Sequence, residues 1–147
     1  MTLSIQAVRP SKALRWGLTA AVVVPFLISL GLPAVTGDID APNTTASGLQ
    51  ALLMGFVIPF VWIANVFLPI GLLTFHAGRL KWAAIAGAAA AACAAMPLVV
   101  PLGFALEIGY YAWLSSMVVF LVGSSLGWHL RHRDEAARGP LPASPPV

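Results

Sequence analysis

One carboxamide side chain lies within a long apolar stretch of this chain. Asn65 is close to the midpoint of the run 49–75. An amide in hydrocarbon costs several kcal/mol unless it finds a hydrogen-bond partner. Such a residue either lines a transport or ligand site or bonds to another helix. We expect the second role, with Ser115, Ser116 or a carbonyl freed by Pro69 as the partner.

Glu107 is the acidic residue closest to an apolar run, apart from those of the C-terminal tail. Because an intramembrane carboxylate can couple a proton or cation, Asn65 and Glu107 together define a candidate route through a small oligomeric transporter or channel. Pro101 and Gly103 precede Glu107, and turn residues of this kind favour the outer membrane interface. We therefore expect Glu107 to be solvated, and keep the transporter as the alternative.

Three histidines follow apolar runs near basic residues. His76 and His129 end the second and fourth runs at the same predicted depth, as two axial ligands of a haem would require. His129 and His132 are spaced to share a helix face and hold a metal ion. Histidines at a membrane interface are the simpler interpretation, so we expect no cofactor and no metal, and keep a haem-binding redox protein as a further alternative.

The segment Gly123–Gly127 matches two motifs at once. As G-x-S-x-G it resembles the nucleophile elbow of serine hydrolases. That motif, however, requires a strand–turn–helix and an acidic residue that orients the catalytic histidine. As G-x-x-x-G it allows two helices to approach closely. Small residues recur every four positions in the third run as well, at Ala83, Gly87, Ala91 and Ala95. We expect helix packing, no catalytic residue and no enzymatic activity.

The distribution of charge shows how these residues are positioned. All eight Lys and Arg fall in three segments, which contain Arg9, Lys12 and Arg15; Arg79 and Lys81; and Arg131, Arg133 and Arg138. The two intervening connections carry only acids, Asp38, Asp40 and Glu107. Basic residues stay on the cytoplasmic side of a membrane. The pattern predicts four spans with both termini in the cytoplasm, and anionic inner-leaflet headgroups rather than nucleic acid as the partner.

Composition agrees with a membrane location. The chain has 147 residues, of which 59% are hydrophobic and 9% charged, against about a quarter charged in soluble proteins. We predict an all-α polytopic membrane protein with four helices in an antiparallel bundle, over about 14–35, 49–75, 82–100 and 110–130. A basic cytoplasmic leader (1–13) and a disordered Pro/Ala-rich tail (131–147) flank this domain. The first run is expected to be retained, a cleaved signal peptide being the alternative.

Two motifs resemble a group of small bacterial four-helix membrane proteins of unknown function. They are W-x-A-N at Trp62–Asn65 and E-I-G-Y-Y-x-W-L-x-S at Glu107–Ser116. The resemblance covers residues 48–126, although Val66 stands where that group often has Pro. It implies four spans and no particular activity, and it singles out Asn65, Glu107, Tyr110, Tyr111 and Trp113. We expect a non-catalytic structural or accessory subunit of the bacterial inner membrane, packed with itself or another membrane protein.

The predicted topology can be tested with reporter fusions. A reporter joined after Asn43 should be active only outside the cytoplasm, and one joined after Arg138 only inside it, because the bases mark the cytoplasmic side. Paired alkaline phosphatase and fluorescent-protein fusions measure both positions. Reporters that place both positions on one side would show that the helix count is wrong.

Overall fold

Four long helices make up most of the described structure. The computed structural model describes residues 12–37, 44–54, 59–100 and 105–137. Its α-helices, in chain order, are α1 (Lys12–Gly31), α2 (Gly48–Met54), α3 (Pro59–His76), α4 (Leu80–Ala95) and α5 (Ile108–Ala137). All except α2 are long and apolar enough to cross a membrane, counting the 3-10 turn Met96–Leu98 with α4. The prediction of four such helices is confirmed.

The prediction that the chain is all-α is wrong in one respect, because the described residues include a small antiparallel sheet. Its strands are β1 (Pro33–Gly37), β2 (Thr44–Ser47) and β3 (Ala105–Leu106), in the order β2-β1-β3. The sequence predicts residues 33–35 as part of the first helix and no strand in any of these segments. Backbone groups with limited access to water need partners, and β1 and β2 contain the β-branched residues that favour strands. Two of these, Thr36 and Thr45, bring their hydroxyl oxygens within 3.1 Å.

The second apolar run was predicted as a single helix over 49–75. The structure describes α2 and α3 within it, and residues 55–58 between them lie outside the described ranges. Pro59 is the first residue of α3, a position where its missing N–H has no cost. Before α2, the Ser47 amide donates to Gln50 Oε1 at 2.9 Å, and the Gln50 amide donates to Ser47 Oγ at 3.3 Å. This reciprocal pair is a capping box, which gives α2 a defined beginning.

The other helix boundaries also differ from the prediction. The first helix ends at Gly31 rather than at residue 35, because Pro33 begins β1. The third is α-helical only to Ala95, since Pro97 has no N–H to donate to a carbonyl of the preceding turn.

The predicted disorder of the tail is wrong for residues 131–137, which extend α5. Arg131 Nε donates to Glu135 Oε1 at 2.9 Å, and ion pairs four residues apart support a helix. Residues 138–147 of the predicted tail and 1–11 of the predicted leader lie outside the described ranges.

The long helices pack in the order α1, α5, α4, α3. α3 and α4 are joined by a short turn at residues 77–79, where Gly78 adopts a φ of +77°, a conformation that favours glycine at the end of a helix. We call this end of the molecule the turn end. The sheet, which adjoins the end of α1 and the beginning of α5, defines the opposite sheet end.

Small residues set the distances between these helices, as predicted. A Cβ on Gly87 of α4 would lie 3.1 Å from the Leu121 Cα of α5, and Ala83 is fully buried. Gly123 in the predicted G-x-x-x-G segment faces Leu18 of α1. Gly127 is packed less tightly, since its nearest neighbour would be 3.9 Å from an added Cβ.

Replacing Gly109 by Ala should destabilise the fold. Its Cβ would lie 2.6 Å from the Pro33 carbonyl oxygen, so β1 would have to move away from α5. Overpacking of this kind costs about 1–3 kcal/mol, measured as a lower unfolding temperature in detergent. The matched control is Gly17→Ala, where an added Cβ meets nothing within 4 Å. Equal effects of the two substitutions would contradict the described packing.

Candidate functional site

Asn65 of α3 is hydrogen-bonded to α5, and its partner there is Trp113. The indole Nε1 of Trp113 donates to Asn65 Oδ1 at 2.9 Å. The Asn65 Nδ2 donates to the Val61 carbonyl of its own helix, also at 2.9 Å. The predicted bond between helices is therefore present. The predicted serine partners are wrong, because Ser115 and Ser116 donate to carbonyls within α5.

The residue of the sequence that could have indicated this bond is Trp113 rather than either serine. Trp113 is only 8% exposed, and a buried indole N–H needs an acceptor. Sequence spacing alone does not show which face of α5 is turned toward Asn65.

Asn65 lies close to the midpoint of α3, as it does in the predicted run 49–75. α3 comprises Pro59–His76. At a rise of 1.5 Å per residue, Asn65 is about 9 Å along α3 from its first residue. It therefore lies nearer the sheet end than the turn end. Its bond to Trp113 joins α3 to α5 at this depth.

A second buried bond joins α5 to α4. The Tyr110 hydroxyl donates to the Ala94 carbonyl at 2.6 Å. In the 3-10 turn that follows α4, the donor to Ala94 would come from residue 97, which is Pro and has no N–H. The Tyr110 ring lies 5.7 Å from the Trp113 ring. The two aromatic residues thus link α5 to both α4 and α3, a connection that the sequence analysis missed.

Glu107 contributes to the site through its backbone. Its N–H donates to the Ala34 carbonyl at 2.9 Å, and its carbonyl accepts from the Tyr110 N–H at 3.0 Å. These bonds attach the beginning of α5 to β1. The half-buried carboxylate makes no hydrogen bond or ion pair to a described residue. Glu107 precedes Trp113 by six residues, so it lies closer to the sheet than the Asn65–Trp113 pair does.

His76 is held by α1 at the turn end. The Thr19 hydroxyl donates to the Arg15 carbonyl at 2.9 Å and lies 2.9 Å from His76 Nε2. Because the hydroxyl proton is already used, His76 Nε2 is the donor in the second bond. Arg15 Nη1 donates to the His76 carbonyl at 3.2 Å. The Trp16 ring centroid lies 5.3 Å from that of His76.

The other two histidines have different surroundings. His129 is exposed on α5, and His132 stacks on Trp128 with ring centroids 6.4 Å apart. Within the described ranges, no three His, Cys, Asp or Glu residues are grouped to hold a metal ion. With His76 bonded to Thr19, the arrangement gives no support to a haem between His76 and His129.

The G-x-S-x-G segment lies within a continuous helix. Ser125 is an interior residue of α5, so the strand–turn–helix that presents a serine nucleophile is not formed there. The nearby Ser124 is buried and donates to the Phe120 carbonyl at 2.7 Å. Both observations fit the predicted packing role of this segment.

Comparison with known protein families, curated proteins and solved structures finds no match. The resemblance to small bacterial four-helix membrane proteins therefore stays a prediction.

A double-mutant cycle should detect coupling between Asn65 and Trp113. Asn65→Leu and Trp113→Phe should each lower the free energy of unfolding, and together cost less than the sum of the two. Hydrogen bonds between membrane helices average about 0.6 kcal/mol and reach about 1.7. Unfolding in mixed micelles measures this coupling. The control pair is Asn65→Leu with Ser115→Ala, which should be additive; additivity in the first pair would contradict the described bond.

Proposed function

We propose that the four long helices form an antiparallel bundle in a bacterial inner membrane, with both termini in the cytoplasm. Charge supports this orientation, because the described bases all lie toward the turn end: Lys12, Arg15, Arg79, Lys81, Arg131 and Arg133. Trp16, Trp82 and Trp128 are exposed in the same part of the molecule. Basic and aromatic residues together are typical of the cytoplasmic interface. The sheet would then lie on the outer side.

We further propose a non-catalytic role, as a structural or accessory subunit that packs with itself or with another membrane protein. The observation that carries this proposal is the use made of the polar side chains within the helices. Asn65 and Tyr110 join α5 to its neighbours, while the buried hydroxyls of Ser29, Ser116 and Ser124 bond to their own helices. Groups occupied in this way stabilise a bundle rather than receive a substrate.

The transporter alternative is less well supported by these contacts. A route lined by Asn65 requires that its amide be available to a passing ion or solute. Both ends of the amide are already bonded, to Trp113 and to Val61. The Glu107 carboxylate lies nearer the sheet and forms no described bond to that pair.

Self-association or partner binding is tested by copurification. Two differently tagged copies of the chain, expressed together and extracted in mild detergent, should copurify or crosslink, or one copy should retain another membrane protein. Two tagged copies of an unrelated four-span protein serve as the control for detergent trapping. A strict monomer without partners in both detergent and intact membranes would exclude the proposed role.

A further inference from the structure

Arg15 of α1 has a buried N–H group with no acceptor among the described residues. Its Nη1 donates to the His76 carbonyl, but its Nε is buried and has no hydrogen-bond partner in the described part of the chain. An unpaired buried donor costs about 1–3 kcal/mol, and more on a charged group. The side chain as a whole is only half-buried, so an acceptor from outside can reach the guanidinium after a small side-chain rotation.

The surroundings of Arg15 favour an anionic acceptor. The described acids of the turn end are Asp134 and Glu135, and Glu135 is already paired with Arg131. Trp16 is 66% exposed beside His76, and an exposed indole is typical of the headgroup level of a membrane. The described part of the chain therefore supplies a cation and an interfacial ring here, but no carboxylate bonded to Arg15.

The space beside Arg15 lies between two helices that are not packed along each other. α1 packs along α5 and α3 packs along α4, whereas the backbones of α1 and α3 come close at few points. Side chains of Arg15, Trp16 and Thr19 bridge the separation to His76. One turn before His76 on α3, Leu73 is 71% exposed. A polar site at the turn end is thus continuous with apolar surface leading toward the sheet end.

We propose that an anionic phospholipid binds between the turn ends of α1 and α3, with its phosphate on Arg15 and its acyl chains along the apolar surface beside Leu73. The planar guanidinium matches phosphate oxygens, and basic sites between membrane helices on the cytoplasmic side hold anionic headgroups. This inference rests on the proposed membrane orientation. The basic residues attract anionic headgroups in general, and the inference adds a defined site for one lipid.

Native mass spectrometry of the full chain tests this site. The detergent-solubilised protein is mixed with phosphatidylglycerol or phosphatidylcholine, and bound lipid is counted. We expect a preference for phosphatidylglycerol that Arg15→Gln reduces about tenfold, which corresponds to 1.4 kcal/mol. Arg133→Gln is the matched control, because it removes the same charge from an exposed position of α5, and it should bind lipid like the wild type.

Three results of the mass spectrometry would overturn the inference. Equal losses in Arg15→Gln and Arg133→Gln would mean diffuse attraction to charge, and equal retention of both lipids would mean no headgroup site. Displacement of the lipid by millimolar inorganic phosphate would assign the site to free anions instead.

A second measurement covers the case in which Arg15→Gln does not fold. Phosphatidylglycerol brominated on its acyl chains should quench wild-type fluorescence more than brominated phosphatidylcholine does. Trp16→Phe should remove that difference, and an unchanged difference would count against the site. Copurification tests the proposed function independently, since a strict monomer that still binds phosphatidylglycerol through Arg15 would leave this inference intact.

Discussion

The arrangement of the helices depends on the absence of large side chains on the buried face of α4. From Ala83 to Ala94 this face carries only Ala and Gly. The facing stripe of α5 contains the large buried residues Tyr110, Trp113, Met117 and Phe120. Because α4 is so thin, these side chains reach beyond it to α3, where Phe120 contacts Gly71 and Trp113 bonds to Asn65. Because α4 carries no bulk along this face, a single helix, α5, contacts α1, α3 and α4.

The polar bonds at the sheet end follow from the same close packing. In hydrocarbon a backbone carbonyl or side-chain amide must be satisfied within the protein. Pro97 removes one donor from the end of α4, and the Tyr110 hydroxyl replaces it at Ala94. Asn65 and Trp113 satisfy each other in the neighbouring layer. Each bond is worth little on its own, but both require the register of α5 against α3 and α4 that the small residues of α4 permit.

The sequence was informative where a pattern extends over many residues. The four apolar runs and the segregation of bases predicted four long helices, and the small-residue spacing predicted the packing of Gly87 and Gly123. The sequence was less informative where a single residue determines the boundary of a helix. Pro25 and Pro69 lie inside helices whereas Pro59 begins one, and nothing local to these prolines distinguishes the two cases. The first described residue of α3 was therefore not predicted.

The sheet and the partner of Asn65 were missed for a different reason. β3 has only two residues, Ala105 and Leu106, too few to show an alternating pattern, and it forms because α1 and α5 bring distant segments together. The orientation of Trp113 likewise depends on which helices become neighbours. In a chain with so few polar groups, most segments look apolar enough to belong to a span. The segments that form strands instead are recognised only from tertiary contacts.

The basic residues at the turn end have a structural role in addition to the proposed topological one. Arg15 from α1 and Arg131 from α5 both donate to carbonyls at the end of α3 and in the following turn, those of His76 and Gly78. Carbonyls at the C-terminal end of a helix attract cations. The α3–α4 turn is therefore held from two sides by the helices that do not form it. Removing these charges would alter the packing of the turn as well as the proposed membrane orientation.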